Sequence, residues 1–156
     1  MGAGARIVAG RRSDREGLRI APIRRIALRN FALFALTAAL VRAPGVLLYP
    51  ALLCTAVSTM TWNGLAFTAA AEISGRARAG TAMSLQNTIL AVGGPLAPSA
   101  FGAVVETTSW TSAFAVLALA PLLAVFVLRP LEGDEDERLA ERERRLTELR
   151  LLEGAA

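Results

Sequence analysis

Histidine and lysine are absent from the 156 residues, and cysteine occurs once, at Cys54. Without histidine the chain lacks the usual neutral-pH general base and the commonest metal ligand. A single cysteine in an apolar stretch permits no disulfide framework. No Ser/His or Cys/His arrangement exists, no carboxylates pair inside the apolar regions, and the glycines do not form a phosphate-cradling loop. The sequence therefore predicts no enzyme, no metal and no cofactor. Aromatic residues make up 6% of the chain, and none interleaves with the arginine-rich start, which argues against a nucleic-acid partner. All 17 basic residues are arginine, a pattern expected of GC-rich coding more than of a physical demand.

Charge is also scarce where the chain is longest. Between Asn30 and Leu128 only Arg42, Glu72, Arg76, Arg78 and Glu106 are charged. Over half of all residues are apolar and the mean hydropathy is positive. Long apolar runs with so few charged marks read as membrane spans rather than a buried soluble core. The expected fold class is all-α: an integral membrane bundle of about four transmembrane helices with a charged C-terminal helix.

The spans follow from breakers and charges. Residues 1–22 form a cytoplasmic N-terminal segment, and residues 23–130 the four-helix membrane region. The first span, about 23–42, is the weakest. Arg24, Arg25 and Arg29 lie near its cytoplasmic end, where a guanidinium can snorkel to the headgroups. Arg42-Ala43-Pro44-Gly45 reads as a tight turn. The second span covers about 46–71, and a short polar loop from Glu72 to Gly80 follows. The third, about 81–105, is interrupted by Gly93-Gly94-Pro95 and Pro98. The fourth, about 110–128, carries Pro121 and ends at Arg129-Pro130. Residues 131–156 read as a charged cytoplasmic tail, helical and largely solvated, with Glu141 and Arg145 spaced to pair.

Orientation comes from arginine placement. Residues 1–29 carry eight arginines against Asp14 and Glu16, which favours cytoplasmic anchoring at anionic lipid. Four spans put that segment, the Arg76/Arg78 loop and the tail on one side. Both termini are thus expected in the cytoplasm, in a multi-pass protein of the cell's inner membrane. Trp110 and Tyr49 then fall at the outer interface. The first ten residues do not read as a secretory signal, and Arg6 misses the myristoylation pattern.

One loop carries a family signal. Gly10-Arg11-Arg12-Ser13-Asp14-Arg15-Glu16-Gly17-Leu18-Arg19 resembles the cytoplasmic signature G-x-L-a-D-r-x-G-r-k of the major facilitator superfamily. Gly10, Asp14, Arg15, Gly17 and Arg19 match. Arg12 stands where leucine is usual, and Leu18 where a basic residue is. Glycines allow the tight turn, and a carboxylate flanked by arginines can pair with neighbouring helix ends. These five residues are the candidate cytoplasmic gating motif. A second likeness is in the third span, where Gly94-Pro95 matches part of the family's G-P-x-x-G-G element and Pro98-Ser99 replaces its glycine pair. Gly93, Gly94, Pro95, Pro98 and Gly102 are the candidate bend and packing positions. The resemblance implies that the spans are helices nine to twelve of twelve, with residues 5–9 a stump of helix eight.

Within that reading the membrane-embedded polar residues Trp62, Asn63, Gln86 and Asn87 are candidates for a solute path, with interhelical hydrogen bonding as the structural alternative for the amides. Helical spacing puts Ser58 with Trp62, and Thr59 with Asn63, on common faces. The expected function is transport of a small solute as part of a secondary transporter, partnered by the lipid bilayer and by the missing N-terminal helices, and inactive alone. A four-helix multidrug exporter acting as a dimer is the runner-up, although it wants an acidic residue in the first span. A membrane adaptor acting through its tail is the third class.

Overall fold

Residues 18–154 are described in the computed structural model, and their regular structure is α-helical throughout. The five helices are α1 (Ile20–Leu40), α2 (Gly45–Thr59), α3 (Trp62–Ser74), α4 (Ala79–Thr107) and α5 (Trp110–Gly154). Three helical stretches are long and apolar enough to cross a membrane: Gly45–Ser74, Ala79–Thr107 and Trp110–Leu152. The architecture is thus an all-α membrane bundle. The segment read as the weakest span forms a helix, α1, but its arginines keep it outside that apolar set.

The turn expected at Arg42–Gly45 is present. α1 closes with the Ala43 amide donating to the Leu40 carbonyl at 2.9 Å, and Pro44 precedes the first residue of α2. The second span differs from expectation, because it is not one helix. α2 stops at Thr59 and α3 starts at Trp62. The Thr61 amide and hydroxyl both donate to the Ser58 carbonyl, at 3.1 and 2.7 Å. A hydroxyl side chain that captures a backbone carbonyl competes with the helical ladder, and the Ser58-Thr59-Met60-Thr61 run supplies several.

α3 ends at Gly75, whose φ of 74° is open to glycine and strained for other residues. α4 then runs unbroken for 29 residues through Pro95 and Pro98. The expected interruption at Gly93-Gly94-Pro95 is absent; each proline removes one backbone donor, and the flanking ladder holds. Ser109 caps α5 by accepting the Ser112 amide at 3.1 Å. α5 also passes its expected end at Arg129-Pro130 and continues as one 45-residue helix into the charged region. Its continuation is anchored on α1, as set out below.

α1 packs against α5, α2 and α3, while α4 packs on α3 and α5. Phe101 meets Trp110 and Phe114 edge-on, at centroid distances of 6.0 and 5.2 Å, joining α4 to α5. Most of the buried apolar residues are alanines, including Ala27, Ala38, Ala51, Ala69, Ala113 and Ala118. Small side chains let helices approach closely where lipid supplies no hydrophobic drive between them. No residue of α4 is buried, and its large apolar side chains, such as Leu85, Ile89, Val92 and Leu96, are exposed.

Candidate functional site

Two polar clusters stand out, one at the charged end of the bundle and one at the α2–α3 break. The charged-end cluster gathers at the start of α1. The Glu135 carboxylate accepts the Arg19 and Ile20 amides at 2.5 and 2.9 Å. Arg19 provides no side-chain cap of its own, so an acid from α5 satisfies the donors that open α1. The Arg19 guanidinium donates from Nε and Nη2 to both Glu72 oxygens, each at 2.9 Å. That paired geometry is the strong form of an arginine–carboxylate contact, although Glu72 is half exposed. One helical turn on, Arg24 Nε lies 2.6 Å from Glu132 Oε2. A cavity of about 370 Å³ between these elements is lined by Arg19, Glu72, Asp134, Glu135, Arg138 and neighbouring residues. The start of α1, the end of α3 and the middle of α5 are thereby linked by charge.

The second cluster lies further along α1, against the α2–α3 break. Arg29 donates from Nε to Ser58 Oγ at 2.9 Å and from Nη2 to Thr61 Oγ1 at 3.0 Å. The Ser58 hydroxyl donates in turn to Asn30 Oδ1 in a short hydrogen bond. Arg29 was expected to snorkel toward the headgroups; it reaches instead to the break between α2 and α3. Asn30 also lines an apolar cavity of about 340 Å³ with Ile23, Phe34, Thr59, Trp62 and Pro121, among others. Nearer the far end of α1, the buried Thr37 and Thr55 hydroxyls meet at 3.0 Å; one donates to the other, and the acceptor's own proton goes back to a carbonyl of its helix, Leu33 for Thr37 or Ala51 for Thr55.

The candidate solute-path residues are split by this arrangement. Trp62 lines the apolar cavity. Asn63 and Gln86 each bury a carbonyl oxygen with no hydrogen-bond partner among the described residues. Asn87 is exposed on α4. The expected faces Ser58/Trp62 and Thr59/Asn63 assumed an unbroken helix; with the break, Ser58 turns to α1 while Thr59 joins Trp62 at the cavity. Of the gating motif, Arg19 lies among the described residues and pairs as above, whereas Gly10, Asp14, Arg15 and Gly17 lie outside them. Gly93 and Gly94 are exposed, and a Cβ placed at Gly93, Gly94 or Gly102 would meet no neighbour within 4 Å. Pro95 and Pro98 are likewise exposed. Sequence reasoning missed Asn30, Thr37, Thr55 and Glu135. The first three follow no motif, and Glu135 lies in an acidic run where every neighbour looks equivalent.

Comparison with known proteins gives the site its context. The chain is 35% identical over 127 residues to an uncharacterized MFS-type transporter of Mycobacterium tuberculosis strain H37Rv. It is 34% identical over the same length to one from strain CDC 1551. Each match covers 80% of this chain and 28% of the relative. No family profile matches the chain, and no solved structure does. The chain is thus similar over four-fifths of its length to major-facilitator-type transporters, and it spans little more than a quarter of theirs.

Proposed function

We propose that the chain is the C-terminal part of a major facilitator secondary transporter and moves a small solute across the inner membrane only together with the preceding helices. The supporting observation is the 127-residue likeness to transporters more than three times its matched length. In such proteins two helix bundles rock about a site near the membrane midplane. α1 to α5 supply the kind of elements that mechanism uses: a broken span, a cavity beside it and a charged latch at one end. α4, which buries no residue, offers its exposed side to the preceding helices. On this reading both termini are cytoplasmic, and the Arg19–Glu72 and Glu135 contacts hold the cytoplasmic side together.

A chimera tests the proposal. The matched segment of the M. tuberculosis relative is replaced by this chain, and the product is reconstituted in proteoliposomes. A solute panel is first run on the intact relative to find what it moves. Saturable flux of such a solute by the chimera, and none by this chain alone, is the expected result. Flux by the chain alone would overturn the dependence on preceding helices. A chimera that inserts and folds yet moves nothing would overturn the transporter assignment.

A further inference from the structure

The apolar part of α5 runs uncharged for 19 residues from Trp110 to Leu128, about 28 Å at 1.5 Å per residue. That length matches a hydrocarbon core of about 30 Å, so Arg129 stands where headgroups begin. Beside it lies a groove of about 440 Å³ between α5 and α1, lined by Arg24 of α1 and by Phe126, Arg129, Glu132, Gly133 and Asp136 of α5. α4, the side offered to further helices, contributes nothing to this lining. Two cations and two anions therefore share one groove, and a single contact does not use them up. Arg24 Nε lies 2.6 Å from Glu132 Oε2, but its buried N–H finds no aligned hydrogen-bond acceptor among the described residues. Arg129 and Asp136 are both exposed, and neither has an ion-pair partner among the described residues.

We propose that this groove seats the headgroup of a zwitterionic phospholipid with a primary ammonium, of the phosphatidylethanolamine class. A lining of balanced charge fits a zwitterion better than a simple anion. The lipid phosphate accepts from Arg129 and from spare N–H groups of Arg24, and the ammonium donates to Asp136 and to the second Glu132 oxygen; all are charge-assisted contacts. Gly133 leaves room beside the carboxylates, since a Cβ there would meet nothing within 4 Å. Phe126, exposed three residues before Arg129, faces the level of the acyl chains. An arginine at the end of any span meets headgroups, and an ordinary basic belt favours net-negative lipid. Here the carboxylates oppose a headgroup whose only charge is its phosphate. Choline keeps the positive charge but has no N–H to donate. The proposal goes beyond transport and needs only the membrane bundle.

The full chain in a non-ionic detergent is titrated with dioleoyl phosphatidylethanolamine, phosphatidylcholine and phosphatidylglycerol, and the retained lipid is read by native mass spectrometry. The ethanolamine lipid should bind saturably and about tenfold more tightly than the other two, a gap typical of one charge-assisted contact. Asp136→Asn should erase its advantage over the choline lipid. Arg129→Gln should weaken both about equally, because both carry the phosphate. Glu137→Gln, on the same extension but outside the groove, should change neither. Gly133→Leu fills the groove without altering charge and should displace the lipid, which keeps the test open if a charge variant fails to fold. Tightest retention of the glycerol lipid overturns the proposal in favour of a basic belt. Equal retention of all three, or ethanolamine-lipid binding untouched by Asp136→Asn, Arg129→Gln and Gly133→Leu, also overturns it and leaves boundary lipid only. None of these results bears on the transporter reading, which stands or falls on the flux assay.

Discussion

Glu135 offers the sharpest test of how the charged end is held. Its carboxylate takes both amides that open α1, at 2.5 and 2.9 Å, and the contact is partly buried. A net hydrogen bond to a charged group contributes about 1.5–3 kcal/mol, while losing a helix cap typically costs about 1 kcal/mol. Partial exposure and the water that replaces the carboxylate pull the sum down. Glu135→Ala should therefore raise the free energy of the first α1 turn by about 2 kcal/mol, or roughly 30-fold in local opening. Hydrogen exchange read on peptides spanning Leu18–Arg25 measures that opening directly. Glu137, exposed on the same extension, is the control: Glu137→Ala removes the same charge without removing the cap. Unchanged exchange in Glu135→Ala, or an equal increase in Glu137→Ala, would refute the cap. The neighbouring Arg19–Glu72 pair should matter less despite its ideal geometry, because Glu72 is half exposed. Such pairs are worth about 0–1 kcal/mol and weaken with salt.

Other outcomes follow from single positions. Gly75→Ala should destabilise the α3–α4 corner by about 1–3 kcal/mol, since φ there is 74°. Thermal unfolding in detergent reads that loss, and an unchanged midpoint would contradict the corner geometry. Thr37→Val keeps the shape of a residue with no exposed surface but strips its hydroxyl from the α1–α2 contact with Thr55. A loss of about 0.6 kcal/mol is expected, the mean for interhelical hydrogen bonds in membranes, and the Thr37→Val/Thr55→Val cycle should show the two effects to be non-additive.

The helical bundle was legible in the sequence because hydropathy and breakers act locally. Pro44-Gly45 and Gly75 mark corners whatever surrounds them, and apolar length alone selects α4 and the first part of α5. What the sequence concealed depends on partners. Pro130 reads as a stop, yet α5 passes it where Glu132 and Glu135 find arginine and free amides on α1. The opposite failure occurs at residues 60–61, where no proline or glycine warns of a break. There the Thr59 and Thr61 hydroxyls capture the Ala56 and Ser58 carbonyls, and Ser58 and Thr61 receive an arginine. The candidate site was half legible for the same reason. Trp62 stands out in the sequence as a membrane-embedded polar residue, whereas nothing there marks Asn30, its partner at the cavity.

The helix outside the apolar set, α1, turns out to organise the bundle. Exposed leucines and valines on α2, α4 and α5 carry no penalty in lipid, so apolar area cannot choose one arrangement over another there. Directional contacts must do so, and among the described residues the long-range ones converge on α1. Asn30 and Thr37 tie it to α2. Arg29 ties it to the α2–α3 break, and Arg19 to the end of α3. Arg24 and its opening amides tie it to α5. The arginines that make α1 look marginal as a span are thus the groups that fix its neighbours. α4 has no comparable bond, and its small-residue face lies open. A bundle held from α1 leaves the exposed side of α4 able to meet further helices without loosening its own contacts.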